Sequence, residues 1–499
     1  MQKYSKIIVL FLIFLLFSCS SSKSQNESDI LPDADLDSED SETQDDDSDS
    51  QSTEIVDDSD EMPDVDADSD TEEPSSDDEK PNEPTEEIFE ETEPINGYAR
   101  CYDKIPAGPY EGFFANPYIE SSVKLGLGYD YYDDYEIKEE DLAKVQEITV
   151  YSQDLRGIEK LVNLKYIRIS GDNVYDFSPL LKLEKLKEMR IDGENIDCLD
   201  GSFSLLTNLE TLEIDGTKLK DVSPVEQLEN LISLHVNDSS VEFLPEQIRN
   251  LQKLELLSFS HNNLKNIDEV KSLTNLKRLF FHYNYIEDIS PIKCLLNLTS
   301  FGAQGNQIKD ISPVTNLVNL TWLGLDNNQI EEIPEEITNL KKLQTLELDY
   351  NNICNLPDLK GLDSLNEMKL SDNELNDEDL MKLDGLEHVR VLYVALNKIT
   401  KVPIMKNLKS LQELYLNYNY ITDLSGFADN DSFPALKRLD VGSNNIDNAE
   451  AFRKREGLSI LRVDKNCIKD FSPLKELEER GTYVGGMHEQ LESCEDTGE

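Results

Sequence analysis

The sequence predicts a solenoid, in which short similar segments stack and bury one side against their neighbours. Three observations predict it. In residues 317–333, LVNLTWLGLDNNQIEEI, the apolar residues fall at Leu317, Leu320, Leu323, Leu325, Ile330 and Ile333, with Asn328 between. A three-residue period gives way to a two-residue period and then stops at an Asn, which fits neither one amphipathic helix nor one long strand. A unit that short cannot bury its apolar side alone and needs copies above and below. The copies are the second observation. The column held by Asn328 recurs at positions 172, 194, 217, 239, 262, 284, 306, 328, 351, 373, 397, 419, 444 and 466, in steps of 22 to 25 residues. Third, the segment that precedes this array is so acidic and poor in aromatics that it cannot belong to the same core.

At 499 residues the chain exceeds a usual single domain, but a repeat array escapes that limit because each unit packs only on its neighbours. The formal net charge of -56 is uneven: residues 26–96 hold 32 Asp and Glu, with Lys80 as the only base. Such acidity repels nucleic acid and anionic lipid, and suits solubility, divalent cations or a basic partner.

The amino terminus reads as a processing signal. Lys3 and Lys6 precede an unbroken apolar run from Ile7 to Phe17, shorter than the roughly 20 residues a spanning helix needs. The run ends Leu16-Phe17-Ser18-Cys19, which resembles a bacterial lipobox. That resemblance implies cleavage after residue 18 and acylation of Cys19, with palmitate-type chains as a membrane anchor. Ser20 after the Cys resembles the outer-membrane sorting pattern of Gram-negative lipoproteins. Residues 19–96 then form a linker of Ser, Asp, Glu, Thr and Pro, expected to be disordered because it cannot bury enough apolar surface to offset chain entropy. Its stretch Asp64 to Asp70 lacks the fixed Gly and terminal Glu of a calcium loop and reads as a solvated stalk.

Six further cysteines are widely spaced, with no CxxC and no Cys/His cluster, so no zinc site is expected. Cys467 and Cys494 flank the end of the array and are either a disulfide stapling a cap or two half-buried thiols. Cys198 and Cys354 follow the Ile after the ladder column and are expected to pack inward.

Residues 97–144 read as an amino-terminal cap over the first coil. Pro117 to Gly128 places Ile119, Val123 and Leu127 four apart, a short helix opening with Pro and closing at Gly. Residues 137–144 start a second helix. The array itself runs over 145–476 with fourteen recognisable repeats, and 477–499 form a carboxy-terminal cap or tail.

The ladder column is Asn in its last ten places: Asn262, Asn284, Asn306, Asn328, Asn351, Asn373, Asn397, Asn419, Asn444 and Asn466. The first four are Asp172, Glu194, Thr217 and Ser239. The pattern LxxLxxLxLxxNxIxxI resembles the leucine-rich-repeat family. The endings Asp221-Val222-Ser223-Pro224, Asp288-Ile289-Ser290-Pro291 and Asp310-Ile311-Ser312-Pro313 resemble its short, internalin-like bacterial class. The resemblance implies an α/β leucine-rich-repeat solenoid: a curved arc with a parallel sheet on the concave face, 3-10 or irregular turns on the convex face, and a small helical cap. In such a fold the Asn turns the chain off the strand and satisfies buried backbone groups. Glu194 does this least well, so the early coils are expected to be less regular. None of the repeat residues is expected to carry chemistry.

Function is therefore expected between the leucines, where side chains alternate outward. The candidates for partner binding are Arg278, Phe280, His282, Trp322, Asp326, Glu347, Tyr393 and Tyr415. Leu256, Gln304 and Asp349 occupy equivalent positions. Phe280 is followed in its column by Gly302 and Gly324, which reads as an aromatic beside a bare strip, and Tyr393 and Tyr415 are adjacent. Aromatics on a polar face are interface anchors, and they are also what a sugar-stacking site uses. No His stands at metal-ligand spacing from another, and no phosphate loop, nucleophile elbow or HExxH motif occurs, so neither catalysis nor a cofactor or metal is expected. The reading is a monomeric, exported surface lipoprotein that binds another protein. A glycan-binding adhesin or a structural envelope spacer is the alternative.

Overall fold

A computed structural model describes residues 110, 112–130, 134–171, 174 and 176–494. Cys19, the acidic linker and Cys101 lie outside the described residues, as do Asp172 and the expectations attached to them. Sixteen strands form one parallel sheet in strict sequence order, each bonded to the next. Fourteen of them belong to the fourteen repeats. β1 (Glu147–Val150) precedes these, and β16 (Tyr483–Gly485) follows them.

The columns explain the stack. Leu317, Leu320, Leu323, Leu325 and Ile330 are fully buried, and one continuous apolar core runs from Phe114 to Val484. Opposite the sheet the chain passes through 3-10 turns such as Ser290–Cys294 and Ser312–Asn316. The Asp-x-Ser-Pro endings build these turns. Asp288 accepts from the Ser290 amide at 2.7 Å and from its hydroxyl at 2.8 Å, and Pro then fixes φ in the first turn. Asp310 and Asp221 repeat the arrangement. One coil departs from irregular turns: Asp377–Lys382 is an α-helix, capped by Asn376, whose side chain accepts from the Glu378 amide at 2.7 Å. It falls in the 24-residue step between Asn373 and Asn397, where the longer segment has room for helical hydrogen bonds.

Each Asn of the ladder joins two coils. Asn328 donates from Nδ2 to Ala303 O and Leu325 O at 3.0 Å each, and its Oδ1 accepts from the Ile308 amide at 3.0 Å. Immediately before the ladder position the backbone is left-handed in every coil from Gly216 onward, even where the residue is Tyr283, Tyr350, Leu396 or Tyr418. The early coils differ from expectation in kind. Strands in the first four repeats are five residues long, as in Tyr166–Ser170, against three in the later ones. Gly171 and Gly193 are not left-handed whereas Gly216 and Asp238 are, so the longer strands follow not the turn but the four ladder positions, 172, 194, 217 and 239, that are not Asn. Irregularity at the ladder therefore lengthens the sheet rather than breaking it.

At the amino terminus the first cap helix is Pro117–Gly126, ending two residues before the expected Gly128, and the second is only Glu139–Leu142. At the other end Ser472–Glu479 is a helix, and Cys467 and Cys494 are joined by a disulfide with Cα atoms 5.4 Å apart. Beside it Gln490 acts as a further ladder rung. Its Oε1 accepts from Ile468 N at 3.2 Å and its Nε2 donates to Val463 O at 2.8 Å, the bonds a next-coil Asn would make. Gln490→Ala should therefore fray the cap, costing about 1–2 kcal/mol for the unsatisfied groups. Hydrogen exchange should then accelerate over residues 463–491 while the middle coils keep their protection. The inward packing expected of two cysteines is corrected. Cys354 is exposed and free because the position after buried Ile353 alternates outward, and Cys198 is half-buried and disulfide-bonded.

Candidate binding surface

The outer face of the sheet carries three parallel columns of side chains, and the strand register sets their neighbours. In the middle column Phe280, Gly302, Gly324, Glu347, Lys369, Tyr393 and Tyr415 stand on successive strands. Six strand steps make this band about 29 Å long.

At one end Phe280, His282 and Trp322 come together. Phe280 stacks on His282 with centroids 5.6 Å apart and lies 6.1 Å from Trp322, which meets His282 edge-on at 6.3 Å. The bare strip expected at Gly302 and Gly324 is not bare. A Cβ on Gly302 would stand 2.2 Å from His282 Cε1, and one on Gly324 would stand 2.5 Å from the Trp322 ring. The two glycines let the imidazole and indole lie down over the strands. Burial holds the His282 imidazole at about 4, with His261 adding to the depression, so the cluster is neutral at physiological pH.

The acidic residues gather next to it. Gln304 donates to Glu347 at 3.0 Å and to Asp326 at 3.3 Å, while Lys369 pairs with Glu347 at 2.7 Å. Asp326 accepts from the Asp349 amide at 2.9 Å, and Asp349 from the Ser371 amide at 2.6 Å. Burial raises both aspartates to about 6; Asp349 and Glu347 add to the shift of Asp326. Glu347 and Asp326 are thus tied into a lattice rather than standing free for a partner.

Tyr393 and Tyr415 stack at 4.5 Å with planes 7° apart. The Tyr415 hydroxyl donates to Glu413 at 2.7 Å, and the Arg438 guanidinium lies 5.9 Å over its ring. Arg278 is exposed two strands before Trp322 in the first column, on the same strand as Phe280. Leu256, an outward position, is buried all the same. Nearer the amino terminus the face is self-paired: Arg168 makes a bidentate bond to Asp192, and Arg190 reaches Glu213 and Asp215.

A model described as a leucine-rich repeat region matches residues 291–425, and one for two leucine-rich-repeat copies matches 252–294 and 409–454. The chain carries leucine-rich repeats and folds as a leucine-rich-repeat solenoid. Its fold is similar to an internalin from Listeria monocytogenes, at 25% identity and TM-score 0.52, over 74% of this chain and 95% of that one. It is also similar to a leucine-rich-repeat protein of Leptospira interrogans, at 23% identity and TM-score 0.59, over 69% and 97% of the two chains. A further L. monocytogenes internalin, whose functional domain includes a cysteine ladder, gives 21% identity and TM-score 0.52 over 71% and 81%. No curated protein matches the sequence.

Sequence reasoning missed three features of this leucine-rich-repeat array. Lys369, which bridges the acidic lattice to the tyrosine pair, offers no pattern signal. A second amide ladder on the flank (Asn230, Asn275, Asn297 and Asn319) donates to carbonyls of the preceding coil at 2.7 to 2.9 Å. It was readable as a recurring Asn one position before a Leu of the repeat. Arg455, fully buried near the carboxy terminus, had no signal beyond its rarity in a core.

The acidic lattice has a pH signature. Asp326 and Asp349 titrate near 6 in the fold and lower when unfolded, so they favour the folded state most at acid pH and lose that contribution as pH rises through about 6. His282 runs the other way, and stability it supplies is lost as pH falls from its unfolded value toward 4. Asp349→Asn, which keeps the acceptor for Ser371, should raise stability by about 1–2 kcal/mol at pH 7.5. The gain should shrink to about a third at pH 4.5 and vanish only below the unfolded carboxyl value near 3.8, as followed by urea midpoints across that range.

Proposed function

We propose that this leucine-rich-repeat protein is a non-enzymatic, lipid-anchored envelope protein whose sheet face docks another protein. One observation carries the reading: two preorganised aromatic platforms, Phe280/His282/Trp322 and Tyr393/Tyr415, stand over the two ends of the middle column, with a rigid polar lattice between them. Rings held in place by glycine seats and strand register lose little freedom on binding, which favours shape-complementary association. Among the described residues no cluster of His, Cys, Asp or Glu is placed to hold a metal, and no helix is long and apolar enough to cross a membrane. Acyl chains on Cys19 supply the anchor in this reading, the acidic linker sets the array away from the outer membrane, and the protein acts as a monomer.

A photo-crosslinker at position 322 or 393, used in the native cells and followed by mass spectrometry, should trap one protein partner at both positions. Trp322→Ala with Tyr393→Ala should lose it while the far-ultraviolet spectrum is unchanged. Capture of glycan without protein would make the face a sugar-binding one, and an unaltered phenotype in the double variant would leave only a spacer. Protease treatment of whole cells tests display: the array should be cleaved before the outer membrane is breached.

A further inference from the structure

Past the rim of the sheet, where the chain runs from the asparagine ladder toward the 3-10 turns, lies a groove of about 1010 Å³. Phe243 and Tyr285 line it, 58% and 48% exposed, on coils two apart, which sets them about 10 Å from each other along the array. The intervening coil contributes the half-buried Asn263 and the exposed Lys265 and Asn266. Two exposed rings thus flank the groove, one on either side of that coil. Exposed aromatics of this size on the flank do nothing for the core, which is already continuous without them.

The charge around the groove is one-sided. Glu242, Asp268, Glu287 and Asp288 line it against the single Lys265. Asp288 is engaged by Ser290 and Asp268 by Asn266, so these two serve their own turns. Glu242 and Glu287 are exposed, the first immediately before Phe243 and the second two residues after Tyr285, on the same outward side as its ring. A ring face next to a carboxylate is the surface that receives a guanidinium or ammonium group: the ring quadrupole attracts the cation and the carboxylate takes its N–H bonds. A neutral sugar would use the rings and leave the charge unmatched, and a phosphate would be repelled.

We propose that this flank groove binds an extended basic peptide segment, with Lys or Arg side chains set against Phe243 and Tyr285 and bonded to Glu242 and Glu287. The groove is separate from the sheet face, and its occupancy does not rest on the docking proposed there. The rim between them carries the His261–Tyr283 stack at 4.4 Å, with the exposed Asp238 carboxylate 3.9 Å from His261, so a basic peptide entering from the sheet side crosses rings and a carboxylate.

The test uses the full chain at 150 mM salt and a synthetic peptide of alternating Gly, Arg and Lys with a benzophenone side chain at its centre. Crosslinks should map to the segment 242–287. Phe243→Ser with Tyr285→Ser, which keeps every charge, should weaken binding about tenfold, and Glu242→Gln with Glu287→Gln by a similar factor. Both pairs should retain the wild-type urea midpoint. Crosslinks confined to residues 26–96, or an affinity unmoved by the aromatic pair, would show charge attraction without a site and overturn the proposal. So would protection of Tyr285 by a neutral N-acetylglucosamine oligomer that the peptide fails to reproduce.

Discussion

Arg455→Ala should destabilise the protein by about 3–5 kcal/mol, the largest effect of any single replacement considered for this chain. Arg455 is 2% exposed, and its guanidinium donates to Ser432 O at 2.7 Å, to Phe433 O at 2.5 Å and to Asp429 O at 3.2 Å. Those carbonyls belong to the loop inside the longest repeat, the 25-residue step from Asn419 to Asn444. Phe433 sits there in the left-handed region at φ 50°, a conformation costing roughly 1–2 kcal/mol for a residue with a Cβ. The arginine therefore holds a strained backbone in place and feeds the stacked Phe427, Phe433 and Phe452 into the core. Truncation leaves a cavity, takes one donor from each of the three carbonyls (Asp429 O and Phe433 O keep the Ser432 and Leu436 amides) and leaves nothing to oppose the strain. Arg455→Met, which restores much of the volume without the donors, should recover about 1–2 kcal/mol of the loss. Urea denaturation of the three proteins checks both figures, and equal midpoints for Ala and Met would assign the whole effect to the lost bonds.

The contrast between Arg455 and Asn328 shows what a sequence exposes. A ladder repeated ten times announces its role by periodicity, because each coil must solve the same backbone problem with the same side chain. Leu317 to Ile333 is therefore enough to read the fold. The acid-rich face did not disclose its lattice in the same way. Asp326 and Glu347 were legible as outward positions, yet their mutual bond through Gln304 and the counter-charge from Lys369 depend on register and side-chain length. The glycines misled for a related reason. Gly302 and Gly324 read as bare surface, whereas the missing Cβ atoms are seats for rings that reach across from His282 and Trp322. Gln490 was hidden because it completes the ladder, 24 residues after Asn466, with a longer amide from a segment that lacks the Leu pattern of the repeats.

Asn328→Ala should cost about 2–3 kcal/mol, and the loss should be local to the middle of the array. The side chain bonds two carbonyls and the Ile308 amide, all buried; in the Ala variant the Ile308 amide loses its acceptor, while Ala303 O and Leu325 O each keep one donor, from Asn306 and Asn351. In a solenoid, stability is a sum of coil and neighbour terms, so a defect at one rung weakens the coupling of the halves it joins instead of lowering every coil alike. Trp322, the only tryptophan, lies on the strand of that same coil and reports on it directly. Indole fluorescence should therefore lose its native signal at lower urea than far-ultraviolet circular dichroism, whereas the two transitions should coincide in the wild type. Thr217→Ala supplies the control. Thr217 makes one 2.7 Å bond to Ser239 and a 3.4 Å contact to the Leu219 amide, so its loss should cost only about 1 kcal/mol. If the two replacements cost the same, the asparagine column would be a packing feature, and the left-handed residue before it would carry the turn. The amide bonds spanning adjacent coils argue against that outcome, because a turn set by local backbone preference would have no use for a donor reaching back to Ala303.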